Sequence, residues 1–129
     1  MKNVSAAVAI RQNKILITRR APGEKLAGFW EFPGGKQEDD ESIQACLVRE
    51  LEEELGVVAF CGDVLVECRY TYEGGAINLI AIETKIIEGE ISLSVHDQYQ
   101  WVSPDDLLKF QLAPADIPIA EWIINRYVS

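Results

Sequence analysis

Gly35-Lys36-Gln37-Glu38-Asp39-Asp40-Glu41-Ser42-Ile43-Gln44-Ala45-Cys46-Leu47-Val48-Arg49-Glu50-Leu51-Glu52-Glu53-Glu54-Leu55-Gly56-Val57 is the stretch on which both the fold and the chemistry of this chain turn. Its second part reads as a helix from Ser42 to Leu55. Asp40 or Ser42 can cap the start, and Gly56 stands where helices commonly end. Leu47, Val48, Leu51 and Leu55 fall on one side, which supplies the apolar face a packed helix needs. The same helix carries Arg49-Glu50-Leu51-Glu52-Glu53-Glu54. At about 100° per residue, Glu50, Glu53 and Glu54 lie within about 100° of one another. Such like-charge neighbours cost about 0.2–0.5 kcal/mol per pair in an isolated helix.

Two readings fit that acidic face. One is a solvated surface, the usual fate of a charge run. The other is a cation cradle, because hard divalent ions prefer carboxylate oxygens and can then sit beside a phosphate. The loop before the helix favours the second. Gly34-Gly35 permits close approach of the backbone, and Glu41 stands at the mouth of the helix. Arg49, adjacent to Glu50 and one turn before Glu53, is placed to orient one of these carboxylates by a forked hydrogen bond.

Outward from the helix, Val4–Ile10 and Lys14–Thr18 read as a hairpin and Arg19–Phe29 as a loop broken by Pro22, Gly23 and Gly28. Trp30–Phe32 is a short strand. Val57–Tyr72 and Ala76–Ile87 are long strands joined at Gly74-Gly75, and a further short strand covers Tyr99–Val102. A short helix runs from Ser103-Pro104 to Phe110, and a last helix spans Ile117–Tyr127 with Pro118 in its first turn. Ile119, Trp122, Ile123 and Tyr127 are its core residues. The order predicts a mixed sheet with helices on its faces, either α+β or an α/β sandwich, as one domain over residues 1–129.

Composition narrows the function. Acidic residues outnumber basic ones 21 to 12, and a net charge of −9 disfavours a nucleic acid polymer as partner. It allows a small phosphate ligand if a divalent cation supplies positive charge. Three cysteines without a CxxC or Cys/His pairing point to a reducing, cytoplasmic setting. No stretch reaches the length of a membrane span. His96, the single histidine, reads as a solvated loop residue.

The pattern from Gly35 to Val57 resembles the Nudix signature: Gly35, Glu41, Arg49, Glu50, Leu51, Glu53, Glu54, Gly56 and Val57 each stand at its specified positions. Ile17-Thr18-Arg19-Arg20 and Trp30-Glu31-Phe32-Pro33-Gly34-Gly35-Lys36 resemble the MutT subgroup, which acts on oxidised guanine nucleotides. Leu112-Ala113-Pro114-Ala115-Asp116-Ile117-Pro118 is similar to the bacterial CTP pyrophosphohydrolase branch. The resemblance implies an α+β fold, an α/β/α sandwich with a mixed sheet between helices, and hydrolysis of a nucleoside triphosphate to the monophosphate and diphosphate, by a monomer or homodimer that needs magnesium or, in its place, manganese. It implies catalytic Glu53, Glu50 and Arg49, and metal ligands Gly35, Glu50, Glu53, Glu54 and Asp97. Substrate contacts are expected from Arg20, Phe32, Gly34, Gly35, Lys36 and Asp116.

Three of these positions carry alternatives. Arg20 is a phosphate ligand or a surface arginine. Phe32 stacks on a base or fills the core. Asp116 reads a base edge or caps the last helix. As an ionised carboxylate it would accept only, and so favour donor-rich edges such as the cytosine amine or the N1–H and amine of guanine. The late loop departs from its relatives: Gln98 and Gln100 stand where glutamate is frequent, which leaves Asp97 as its only carboxylate. Rival functions are hydrolysis of another nucleoside diphosphate derivative, such as ADP-ribose or a dinucleotide, and nucleotide sensing without catalysis.

Overall fold

A computed structural model describes residues 1–128. Six strands, β1 (Lys2–Arg11), β2 (Lys14–Arg20), β3 (Trp30–Glu31), β4 (Val58–Tyr72), β5 (Gly75–Glu88) and β6 (His96–Val102), form one mixed sheet. Two α-helices, α1 (Ile43–Leu55) and α2 (Ile117–Tyr127), cover its two faces, and 3-10 turns at Pro104–Lys109 and Pro114–Asp116 lead into α2. The expected sandwich is what the chain forms.

Each face has its own apolar layer. Ala7, Ala9, Leu16, Ile80 and Ile82 pack against Leu47, Leu51 and Leu55 of α1. Ala6, Val8, Ile15, Ile17 and Ala81 pack against Ile119, Ala120 and Ile123 of α2, with Trp30 and Phe32. The alternation along β1 sends Ala6 and Val8 one way and Ala7 and Ala9 the other, the period of a strand buried on both faces. In α2, Ile119 and Ile123 are core as expected, Trp122 is half-buried and packs against that core, and Tyr127 is exposed. No helix among the described residues is long and apolar enough to cross a membrane.

The sheet forks. β1 runs parallel to β5 from Lys2 to Ala9, yet it pairs with β2 only at Ile10 and Arg11. Beyond that point β2 swings to β6 and β3. The chain from Pro33 to Gln37 fills the gap. Ser5 and Ala7 donate their N–H groups to the Gly35 and Pro33 carbonyls at 2.7 Å each, and Gln37 donates to Asn3 at 2.9 Å. The glycine loop is thus zipped onto the free edge of β1 and delivered to the start of α1.

Three boundaries differ from expectation. β2 extends through Arg20, so Arg19 and Arg20 are strand residues. β1 starts at Lys2, because its pairing with β5 includes the polar Lys2 and Asn3. β6 starts at His96, and the ring of His96 is fully enclosed there, not solvated on a loop.

Candidate active site

Ser42 caps α1, its side chain accepting from the Ala45 N–H at 3.0 Å, and Gly56 ends it with a left-handed φ of 68°. These stops fix which faces the glutamates present. Leu47, Leu51 and Leu55 anchor the buried side, so Glu50 and Glu54 sit at its margin and Glu53 faces outward, 59% exposed. A Cβ added to Gly35 would fall inside the Glu50 carboxylate, and one added to Gly34 would fall on the Ser5 carbonyl. Both glycines are therefore required by close approach, Gly34 to β1 and Gly35 to α1.

Arg49 organises the mouth of the site. Its fork is taken by Glu41, with Nε to Oε1 at 3.1 Å and Nη2 to Oε2 at 2.8 Å, and its Nη1 reaches Glu50 Oε1 at 2.9 Å. It also donates to the Lys36 carbonyl at 3.2 Å. The forked partner is thus Glu41 and not one of the three helix glutamates. With this guanidinium beside it, Glu41 is held down to about 2. Lys36 itself is exposed and borders, with Lys2, Glu38 and Glu50, an open polar cleft of about 540 Å³.

Glu54 is the unusual member. It is largely withdrawn from water, one oxygen (Oε1) is buried without a hydrogen-bond partner among the described residues, and the charge that acts on it most strongly is Glu31. Burial first, and then the neighbouring acids, push it up to about 8. Burial likewise raises Glu50. Among the described residues no three acidic, histidine or cysteine side chains are gathered into a ready-made metal cluster. The donor chemistry nevertheless fits a hard cation: carboxylates stripped of water on one helix side, one with an orphaned oxygen, where only positive charge would relieve the cost.

Several expected contacts are corrected. The Gly35 carbonyl is not a free ligand, since it already accepts from the Ser5 N–H at 2.7 Å and the Ser5 hydroxyl at 3.0 Å. The zipper sends the Pro33 and Gly35 carbonyls into β1, so the Gly34 carbonyl between them points away and has no hydrogen-bond partner among the described residues. Asp97 is not aimed at the glutamates. It sits at a bulge of β6, where both its oxygens take the Arg19 fork, at 2.8 and 2.9 Å. Phe32 is a core side chain, 3% exposed, and not an open stacking face.

Asp116 is buried but caps nothing: its side chain makes no cap hydrogen bond to α2. It instead accepts from the Phe32 backbone and lies within the influence of Glu31 and Arg20. Burial raises its carboxyl well above the ordinary range. Arg20 is half-buried, donates to the Lys25 carbonyl at 3.2 Å, and stands 3.6 Å from Glu31. Glu31 and His96 were missed as site residues. The signal was present in Trp30-Glu31-Phe32: strand alternation that buries both aromatics on the α2 face must turn Glu31 to the α1 face.

Residues 1–123 match the family model described as NUDIX domain. The CTP pyrophosphohydrolase of Escherichia coli (strain K12) is 41% identical over 121 residues, covering 94% of this chain and 90% of that protein. The 8-oxo-dGTP diphosphatase of the same organism is 33% identical over 122 residues, covering 92% and 95%. The solution structure of the E. coli ORF135 protein superposes with a TM-score of 0.87 at 38% identity, covering 99% of this chain and 91% of that one.

Proposed function

The chain belongs to the NUDIX family, and from that premise we propose that it is a magnesium-dependent pyrophosphohydrolase that clears modified pyrimidine or oxidised guanine nucleoside triphosphates. Nudix hydrolases generally use a divalent metal and act on small nucleotides. The observation that carries the reading is Glu54: a desolvated carboxylate with an unpartnered oxygen, beside Glu50 and Glu53 on the helix behind the glycine loop.

Glu50, Glu53, Glu54 and the outward Gly34 carbonyl are the groups that would hold the cation. When bound, it neutralises phosphate oxygens and lowers the pKa of an attacking water. The chain's own residues do the rest. Arg49 locks Glu41 and Glu50 so that Glu50 cannot drift with its neighbours' repulsion. Arg20 offers its free guanidinium edge to the phosphates. Displacement in line on phosphorus needs no protein nucleophile, and the products are a nucleoside monophosphate and diphosphate.

Asp116 selects the base, in a way that burial alters. Burial raises its carboxyl and so favours the protonated form, which donates one hydrogen bond and accepts another. The cytosine edge, with a ring nitrogen acceptor beside the amine, complements that pair. So does the N7–H and O6 edge of 8-oxoguanine, whereas unmodified guanine shows two acceptors at N7 and O6. This supports the activities that the relatives' names carry, CTP and 8-oxo-dGTP hydrolysis.

The test is a panel of normal, oxidised and methylated nucleoside triphosphates, with products separated by ion exchange. Glu53→Gln, at an exposed position, should keep the fold and lose more than tenfold in kcat, a barrier rise above about 1.4 kcal/mol. Direct release of orthophosphate from a triphosphate, or full activity of Glu53→Gln, would count against the reading.

A further inference from the structure

We propose that His96 is a positioning residue that keeps the Arg20 guanidinium free for substrate phosphate by occupying the Glu31 carboxylate in its place. The inference rests on Arg20 being a phosphate ligand.

Three side chains converge because of strand register. Glu31 of β3 lies opposite Thr18 of β2, Arg20 follows two residues along the same face, and His96 of β6 pairs with Arg20. Arg20 and His96 both approach one atom of the third, Glu31 Oε2. His96 Nε2 is 2.8 Å from it and Arg20 Nη1 is 3.6 Å. A carboxylate only accepts, so Nε2 carries the proton and donates. At 3.6 Å the arginine is outside hydrogen-bond range, and neither of its terminal nitrogens has a hydrogen-bond partner among the described residues.

That spacing departs from what the other arginines near carboxylates do. Arg19 closes a fork on Asp97, and Arg49 closes one on Glu41. A guanidinium beside a free carboxylate forms such a fork readily, since two charge-assisted bonds form at once. Arg20 is held off by under an ångström, and the group standing in its place is an enclosed imidazole. The other nitrogen of that ring, Nδ1, is buried with no partner among the described residues, so there the ring's only polar contact is the one to Glu31. Without His96, Oε2 would be vacant and Arg20 would close onto it, neutralised and turned from the substrate.

The experiment measures kcat and KM for one nucleoside triphosphate in His96→Leu, His96→Gln, Arg20→Ala and the double variant His96→Leu/Arg20→Ala, each checked by thermal melt. His96→Leu should raise KM about tenfold with kcat within about twofold, the pattern of lost uniform binding. His96→Gln, whose amide nitrogen reaches the place of Nε2, should keep KM near wild type. The double variant should match Arg20→Ala. An unchanged KM in Arg20→Ala overturns the phosphate reading of Arg20 and this inference with it. A raised KM there, with an unchanged KM in His96→Leu or additive effects in the double variant, overturns this inference alone. Because the ring is buried and His96→Leu can fail to fold, a second measurement uses the intact protein. With one histidine in the chain, its imidazole ¹⁵N spectrum is unambiguous. A protonated Nε2 is expected, and a bare Nε2 with the proton on Nδ1 overturns the proposal.

Discussion

Glu54 ties the fold's stability to the cation. Its carboxyl sits at about 8 in the folded chain against an ordinary 4.5, so between those values the folded state holds a proton that the unfolded state has released. Stability must then fall as pH rises through that window, and the raised Asp116 adds the same sign. In a chelated sample, Tm should drop by a few degrees, on the order of 3–8 °C, from pH 5 to pH 8. Magnesium should restore most of the drop, and Glu54→Gln should flatten it; a melt series with and without the cation checks both. Asp116 gives a second test. With no cap bond to lose, Asp116→Ala should reduce kcat/KM unequally across bases, by ~1–3 kcal/mol for the best one. Asp116→Asn, which also donates and accepts, should retain more of it. Equal losses for every base would remove the base-reading role. The sequence allowed both roles for Asp116, and local spacing had no means of separating them. What removes the cap is the missing side-chain bond to α2, and what buries the carboxyl includes Phe32, a contact that spans most of the chain.

Among the elements, α1 was the most legible: its cap, its apolar side and its glycine stop are all local, and the helix forms where they say. β6 was the least. His96 to Gln100 shows no apolar alternation, because four successive residues after His96 are exposed. Only the ladder with β2 makes it a strand, and that ladder is what buries His96 and ties Asp97 to Arg19. The glycine loop lies between these cases. Its residues announce close approach but not to what. The two glycines should now separate in experiment. Gly35→Ala meets a side chain that can move, so the fold should persist within about 1 kcal/mol while kcat falls at least about tenfold. Gly34→Ala meets backbone, and should cost about 2 kcal/mol or more of stability, read by urea denaturation. Equal melts for the two would contradict the packing described.

At the scale of the whole molecule, a chain of net charge −9 accepts a triphosphate only with help. Chelation with EDTA should therefore abolish turnover and also weaken nucleotide binding at least about tenfold, since like charges are left facing one another. Calorimetry with a non-hydrolysable nucleotide would show it, and unchanged affinity would mean that the cation has no place in binding. The order of elements and their apolar periods were enough to anticipate two helix layers on a mixed sheet. The fork between β1 and β2 was not, because it depends on a distant segment inserting between neighbours in sequence. That segment has one more consequence. Residues 33–37 cover an edge of β1 that would otherwise present bare N–H and C=O groups from an apolar strand. The loop that we propose serves substrate is thus also placed to guard against self-association. Variants that loosen it should be lost to aggregates during synthesis at 37 °C, and should accumulate as soluble protein when made in the cold.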